Sequence, residues 1–361
     1  MIEFQPSDDQ ALIAETVRQF AENEVRPQAR TCDETGEMPA EIVSAAHELG
    51  LVANALPEAV GGGGERSAVT GCLIAEELAW GDLAIAVGIL TPSLVGLPVA
   101  DFGTDEQKNT VLKALCGSEF QAGALAITEP EFDFDVFRPR TTATRNGDHY
   151  VIEGRKCQVP APGELPMLVT AMEGDALQAF LVDAKSSGID RKRESNLGLR
   201  GLATEEITLS GVEVPASARL GGEAGADVRS LIVRGRVAMA AMAIGVARAA
   251  FETSRDYAKE RETFGAPIAT RQAIAFKLAD MAIEIDGARL LTWEAAWRLD
   301  DGKDALREAT LAYQQAQKVA LTVSDGAVQV FGGHGYIRDY LPEMHLRNAS
   351  GFASFEALSL V

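Results

Sequence analysis

From about Ala224 onward the chain is rich in alanine, poor in proline and organised as long stretches with helical periodicity: Val228–Lys259, Thr270–Leu299, Asp304–Val330 and Pro342 to about Ser359. Apolar residues recurring every 3.6 positions give each stretch one stripe to bury against its neighbours, as the long helices of a bundle do. The middle third has a different texture. Phe120–Ile127, His149–Glu153, Met167–Met172, Leu177–Val182 and Glu206–Leu209 are short apolar or alternating runs separated by Gly, Pro and Asp, a pattern that predicts antiparallel β-structure. The first third is helical again. Leu12, Ile13, Val17, Phe20 and Val25 fall near helical spacing over Ser7 to about Arg26, with Ser7 and Gln10 forming a capping box. A second helix is predicted from Pro39 at a first turn to a stop at Gly50. The order α, β, α predicts an α+β chain, mainly α. With 47% hydrophobic residues in 361, it has apolar material for a large core, which excludes a disordered or fibrous protein.

Charge narrows the partners. The 33 Lys and Arg stand against 53 Asp and Glu, and the formal net charge of -20 repels the phosphates of nucleic acid and anionic lipid alike. Neither nucleic acid nor a membrane is expected as a partner. A small anionic ligand is compatible, because a few arginines set the field at one site. Cys32, Cys72, Cys116 and Cys157 form no C-x-x-C pair, which fits a reducing cytoplasm. Met1–Pro6 has neither a basic nor a long apolar region, so no secretory signal is expected. The uncharged run Leu83–Ala100 approaches the ~18-residue length of a membrane helix, but Pro92 and Pro98 interrupt it and point to buried core helices.

No common catalytic set is visible. His47, His149, His334 and His345 lack metal-ligand spacing, and Gly61–Gly64 lack the strand and the Lys of a phosphate loop. Three segments are less ordinary. Thr128-Glu129-Pro130 ends an apolar strand, where a hydroxyl can be aimed into a cleft. The stretch from Arg261 through Phe264, Gly265 and Pro267 to Gln272 puts an Arg and an aromatic ring on a loop between two long helices, suited to phosphate pairing and to stacking on a planar base. In Gln329 to Tyr336 a long helix ends in Gly332, Gly333 and Gly335, where backbone can approach a ligand closely.

In this order, with Leu56-Pro57-Glu58, Gly103–Lys108, Gly198–Gly201, Val212–Pro215 and Phe276–Asp280 beside them, these segments make the chain similar to the acyl-CoA dehydrogenase family over nearly its whole length. That resemblance implies three domains: an N-terminal helical domain (residues 1–118), a middle β-barrel-like domain (119–223) and a C-terminal four-helix bundle (224–361). It implies FAD shared across a subunit interface of a tetramer, an acyl-CoA substrate whose Cα–Cβ bond is oxidised, and an electron-transferring flavoprotein as acceptor. The matching positions make Glu356, after Arg347-Asn348-Ala349, the catalytic base, and Arg236 a residue near substrate and base. An alternative base position of the family is Gly235 here. Phe352 and Phe355 give Glu356 an expected apolar setting, which favours the protonated carboxyl.

The chain departs from the family pattern on one side. After Thr128-Glu129-Pro130 the family has a small residue and then Gly-Ser-Asp against the flavin pyrophosphate; here stand Glu131, Phe132, Asp133, Phe134 and Asp135. A carboxylate ~4 Å from a phosphate charge costs about 1 kcal/mol in water and roughly 4 near a protein surface. Where the family has Trp-Ile-Thr against the flavin ring, this chain has Gln158, Val159 and Pro160, and proline offers neither hydroxyl nor N–H. Val233 replaces an acidic CoA contact. Thr128 matches the contacts to a subunit's own flavin; Arg261, Phe264, Gln272, Gln329, Gly332 and Gly333 match those lent to the FAD of the adjacent subunit, and they are intact. The resemblance therefore implies a chain that completes the FAD site of a second acyl-CoA dehydrogenase subunit in a two-plus-two heterotetramer. The alternatives are an ordinary homotetrameric dehydrogenase using Glu356 as base and a flavin-free acyl-CoA-binding or scaffold subunit.

Overall fold

The structure is a computed structural model and describes residues 5–361. Met1–Pro6, expected to carry no secretory signal, lies mostly outside that range.

Helix α1 (Asp8–Phe20) starts at the capping box: Gln10 N–H donates to Ser7 Oγ at 3.2 Å, and Ser7 N–H to Gln10 Oε1 at 3.0 Å. The expected end near Arg26 is overrun. A π-turn at Ala21–Val25 carries the chain without a break into α2 (Arg26–Thr35), and Pro27, which has no N–H to donate, sits directly after that turn. Helix α3 (Ala40–Glu48) follows, with Pro39 as its cap and not inside its first turn. Next come α4 (Ala68–Gly81), α5 (Leu83–Leu90), α6 (Ser93–Phe102) and α7 (Asp105–Leu115). The run Leu83–Ala100 is thus two core helices, α5 and most of α6, interrupted at Thr91–Pro92 and almost wholly buried.

The middle strands are β1 (Leu125–Ala126), β2 (Thr142–Asn146), β3 (His149–Pro160), β4 (Met167–Glu173), β5 (Ala176–Val182), β6 (Ile189–Arg193) and β7 (Thr204–Pro215). They form one seven-stranded sheet in the order β1-β4-β2-β3-β7-β6, with β5 on β4. The pairings β2–β3, β3–β7, β4–β5 and β6–β7 are antiparallel as expected, while β4 runs parallel to both β1 and β2, so the sheet is mixed. Of Phe120–Ile127 only Leu125 and Ala126 pair as strand. Strands β2 and β6 carry little apolar pattern because most of their side chains face solvent. Backbone pairing to β3 and β7 holds them, helped by Arg191 Nε to Glu205 Oε2 at 2.6 Å.

Helix α8 (Val228–Glu260) is the hub of the molecule, buried along most of its length against α4 and the remaining bundle helices. A two-stranded hairpin, β8 (Glu262–Thr263) and β9 (Ala266–Pro267), leads to α9 (Gln272–Asp300), followed by α10 (Leu306–Phe331) and α11 (Pro342–Gly351). The last helix stops at Gly351, well short of the expected Ser359. Phe352, Phe355 and residues 357–361 are drawn into the cores on both sides, and that burial favours irregular chain over another helical turn with one exposed face.

Candidate functional site

The helix directions bring three predicted segments to one end of the bundle: the C-terminus of α8, the N-terminus of α9 and the C-terminus of α10. Arg261 caps α8, its N–H donating to Tyr257 O at 2.8 Å, and its carbonyl accepts Ile268 N–H at 2.8 Å. Arg271 Nη2 donates to Thr263 O at 2.9 Å, closing the loop that presents Phe264. That ring is 99% exposed, on backbone with φ +52°, a left-handed conformation that costs an L-residue about 1–2 kcal/mol. Gln272 opens α9, and Gln329 lies in the last turn of α10; both are exposed. Gly332 has φ +59° and ψ -130°, a region open to glycine, and neither Gly332 nor Gly333 has an atom within 4 Å of where a Cβ would stand. The result is an exposed surface of guanidinium, amide, aromatic ring and bare backbone.

Two residues that sequence reasoning passed over hold this surface together. Tyr257 stacks on Phe331 with centroids 3.8 Å apart and hydrogen-bonds to His334 Nδ1 at 2.8 Å. Tyr340 stacks on His334 at 5.0 Å. Tyr257 lies four residues before Arg261, one turn back on α8, the only signal in the sequence that could have found it.

Thr128 lies apart, at the end of β1, 9% exposed, its carbonyl accepting Cys157 N–H at 3.0 Å. Its neighbour Glu129 is the buried anchor of this region. Glu129 Oε1 receives Lys156 Nζ at 3.0 Å and the amide and hydroxyl of Thr141 at 2.9 and 2.5 Å, while Oε2 receives the Arg140 amide at 2.6 Å. Burial pushes Lys156 down to about 8 despite that carboxylate. Burial alone would raise Glu129, but Lys156 and the Thr141 and Arg140 donors outweigh it and hold the group below its ordinary value.

The altered loop differs from the expectation. Asp133 is not a bare carboxylate: Arg140 Nη2 donates to both its oxygens at 2.7 and 2.8 Å, which sets a cation beside it. Phe132 is fully exposed, whereas Phe134 is partly buried against the core cluster that includes Leu125 and Ile127. Gln158 sits at φ +56°, its N–H donating to Glu194 Oε1 and Oε2 at 3.1 and 3.0 Å, and its side-chain Oε1 is buried without a partner. Pro160 is buried nearby in β3.

Arg236 on α8 and Glu356 meet in a two-pronged ion pair, Nη2 to Oε1 at 3.0 Å and Nε to Oε2 at 3.2 Å, and Arg236 Nη1 also donates to Thr310 Oγ1 at 2.9 Å. The expected apolar setting of Glu356 is therefore corrected. Phe352 and Phe355 turn away into the core, and a guanidinium occupies the space beside the carboxylate. Tyr313 and Gln317 position this segment: Tyr313 Oη donates to the carbonyls of Phe352 and Phe355, and Gln317 Nε2 to Phe352 O at 2.9 Å. Phe137, from the loop after Thr128-Glu129-Pro130, lies under Arg236 at 5.5 Å, so the loop between β1 and β2 reaches this pair. Gly235, the alternative base position, has no room for a side chain, since a Cβ there would stand 2.7 Å from Ala357 Cβ. No group of three or more His, Cys, Asp or Glu suited to a metal occurs among the described residues.

Comparison with known proteins gives three consecutive family matches: acyl-CoA dehydrogenase N-terminal domain over residues 7–119, middle domain over 124–212 and C-terminal domain over 226–356. The chain is 37% identical to a probable acyl-CoA dehydrogenase of Bacillus subtilis, YngJ, over 96% of this chain and 93% of that one. It is 34% identical to the caffeyl-CoA reductase-Etf complex subunit CarC of Acetobacterium woodii, over 98% and 96%. The fold matches butyryl-CoA dehydrogenase from Megasphaera elsdenii with a TM-score of 0.89 at 31% identity, over 99% and 96% of the two chains. The chain belongs to the acyl-CoA dehydrogenase family, oxidoreductases that act on CH–CH bonds.

Proposed function

We propose that this chain is a subunit of an FAD-dependent acyl-CoA dehydrogenase that introduces a Cα–Cβ double bond into an acyl-CoA thioester, and that its bundle end completes the FAD site of a different partner subunit in a two-plus-two heterotetramer. The observation that carries this reading is the exposed bundle-end surface: Arg261, Phe264, Gln272, Gln329, Gly332 and Gly333 are held in place by the Tyr257–Phe331 stack yet face no part of their own chain that needs them. These residues fit a dinucleotide. Arg261 pairs with the pyrophosphate, Phe264 stacks on a planar ring, Gln272 and Gln329 supply amide contacts, and the two glycines admit close backbone approach. FAD, when bound, supplies the two-electron acceptor of the reaction. The chain's own half fits it less well, with Pro160 in place of a donor and the Glu194 carboxylate engaged on the Gln158 amide.

Within this chain, Thr128 and Glu129 orient the loop beside the sheet, and Glu356 is a base held in reserve. Its two oxygens each accept one bond from Arg236, which fixes the direction in which the carboxylate points. Relatives named butyryl-CoA dehydrogenase and caffeyl-CoA reductase-Etf complex subunit support an acyl-CoA substrate and an electron-transferring flavoprotein partner. The four free thiols support a cytoplasmic setting.

A homotetramer using Glu356 as base is the second reading. Two observations favour it: Arg140 pairs with Asp133, and the orphan Oε1 of Gln158 offers an acceptor to a ligand N–H. Flavin per chain decides between them. The heteromer predicts little flavin in the isolated chain and half an equivalent per chain in a complex with the partner subunit. Near one FAD per isolated chain overturns it, and no flavin in either preparation leaves a flavin-free scaffold.

A further inference from the structure

Beyond Glu356 the chain is neither helix nor strand, and Ala357, Leu358, Ser359, Leu360 and Val361 are each 5% exposed or less. Their side chains alternate between two cores. Ala357 and Leu360 pack in the cluster of Leu94, Leu97, Leu231 and Ile232; Leu358 and Val361 pack in the cluster of Ala68, Cys72 and Val237. Polar contacts pin the segment between α6 and α8. Leu360 N–H donates to Ser93 Oγ at 3.0 Å, Ser359 Oγ lies 3.1 Å from the same atom, and Arg234 Nη1 donates to Val361 O at 2.8 Å. Two glycines make the room: a Cβ on Gly235 would meet Ala357 at 2.7 Å, and one on Gly71 would meet Val361 at 3.0 Å. On the far side of Ser359–Val361 lies a cavity of about 260 Å³ with apolar walls that include Leu12, Ile13, Leu49, Leu51 and Ile74.

An acyl chain whose α-carbon stands at Glu356 meets the Arg236 guanidinium on one side of that residue, so its methylenes must run toward the apolar cores that the following residues enter. On the α6 and α8 side the protein's own residues already fill those cores. Replacing one set of buried methylenes by another gains little, so each further carbon of a long acyl group must displace side chains that are themselves well packed. We propose that Ala357–Val361 is an internal wall that sets acyl length, closing the path from Glu356 to the cavity behind it and fitting the site to short-chain acyl-CoA thioesters. This rests on the reading that Glu356 faces the thioester α-carbon.

The test is calorimetric titration of the intact protein, in its complex where one is formed, with CoA, butyryl-CoA and lauroyl-CoA. It compares wild type, Leu360→Ala and a chain shortened after Glu356. Wild type is expected to bind butyryl-CoA at least tenfold more tightly than lauroyl-CoA, and both variants to shift that ratio at least tenfold toward lauroyl-CoA. Leu360→Ala is the smaller change and carries the test alone if the shortened chain does not fold. Butyryl-CoA binding with a ratio that moves less than twofold overturns the wall and leaves the site reading standing. Wild type that binds neither thioester more tightly than CoA overturns both.

Discussion

Tyr257 lies flat on Phe331, ring centroids 3.8 Å and planes 13° apart, and so ties the Arg261 loop to the glycine turn after α10. Truncating it should loosen both. Tyr257→Ala is expected to lower stability by about 1–3 kcal/mol, by thermal or urea unfolding, and to reduce the flavin carried by the complex by more than half. Tyr257→Phe keeps the stack and loses the His334 hydrogen bond, so it should cost only about 1 kcal/mol. Equal losses from the two variants would mean that the stack is not what joins the segments.

Phe264 pairs full exposure with left-handed backbone. Glycine relieves the strain but adds freedom to the unfolded chain, so Phe264→Gly should stabilise the isolated chain by about 0.5–1 kcal/mol. The same variant should lower the FAD affinity of the complex roughly tenfold, because stacking on a base is lost. A variant that is less stable and binds flavin normally contradicts the role given to this loop.

The Arg236–Glu356 pair is largely shielded, with side chains 12% and 20% exposed, and joined by two charge-assisted bonds. A double-mutant cycle with Arg236→Gln and Glu356→Gln is expected to show a coupling of about 1–3 kcal/mol in unfolding free energy. In the heteromeric complex Glu356→Gln should change turnover less than threefold; a loss of a hundredfold or more would favour the homomeric enzyme.

His345 is buried, its Nε2 has no partner, and burial together with Arg26 and Arg30 pushes it down to about 3. The unfolded chain takes up its proton near 6.5. Between pH 6.5 and 3 the unfolded state therefore holds more protons, and stability falls as the pH drops through that window, by about 2 kcal/mol at pH 5. His345→Leu should flatten the fall between pH 7 and 5 in thermal melts; an unchanged slope would show that His345 is not responsible.

The long helices and the principal strands were legible because periodicity and burial agree in them: α8 buries residues along most of its length, and β4 and β5 bury most of theirs. Strands β2 and β6 were not, since backbone pairing and surface ion pairs hold them with little apolar signal. The parallel placement of β4 depends on which chain ends meet, and no local pattern records that. The proposed site residues rest on their order along the chain, whereas the partners that hold them leave no such mark. Arg140 on Asp133, Arg236 on Glu356 and the Glu129–Lys156 anchor join residues between seven and 120 positions apart, and only folding brings them together.

The most direct measurement is FAD content of the complex with the partner subunit after changes in this chain alone, comparing Arg261→Ala with Gln329→Ala against Thr128→Ala. The bundle-end variants are expected to empty the complex of flavin while Thr128→Ala leaves the content unchanged. Flavin retained by the bundle-end variants and lost with Thr128→Ala would contradict it.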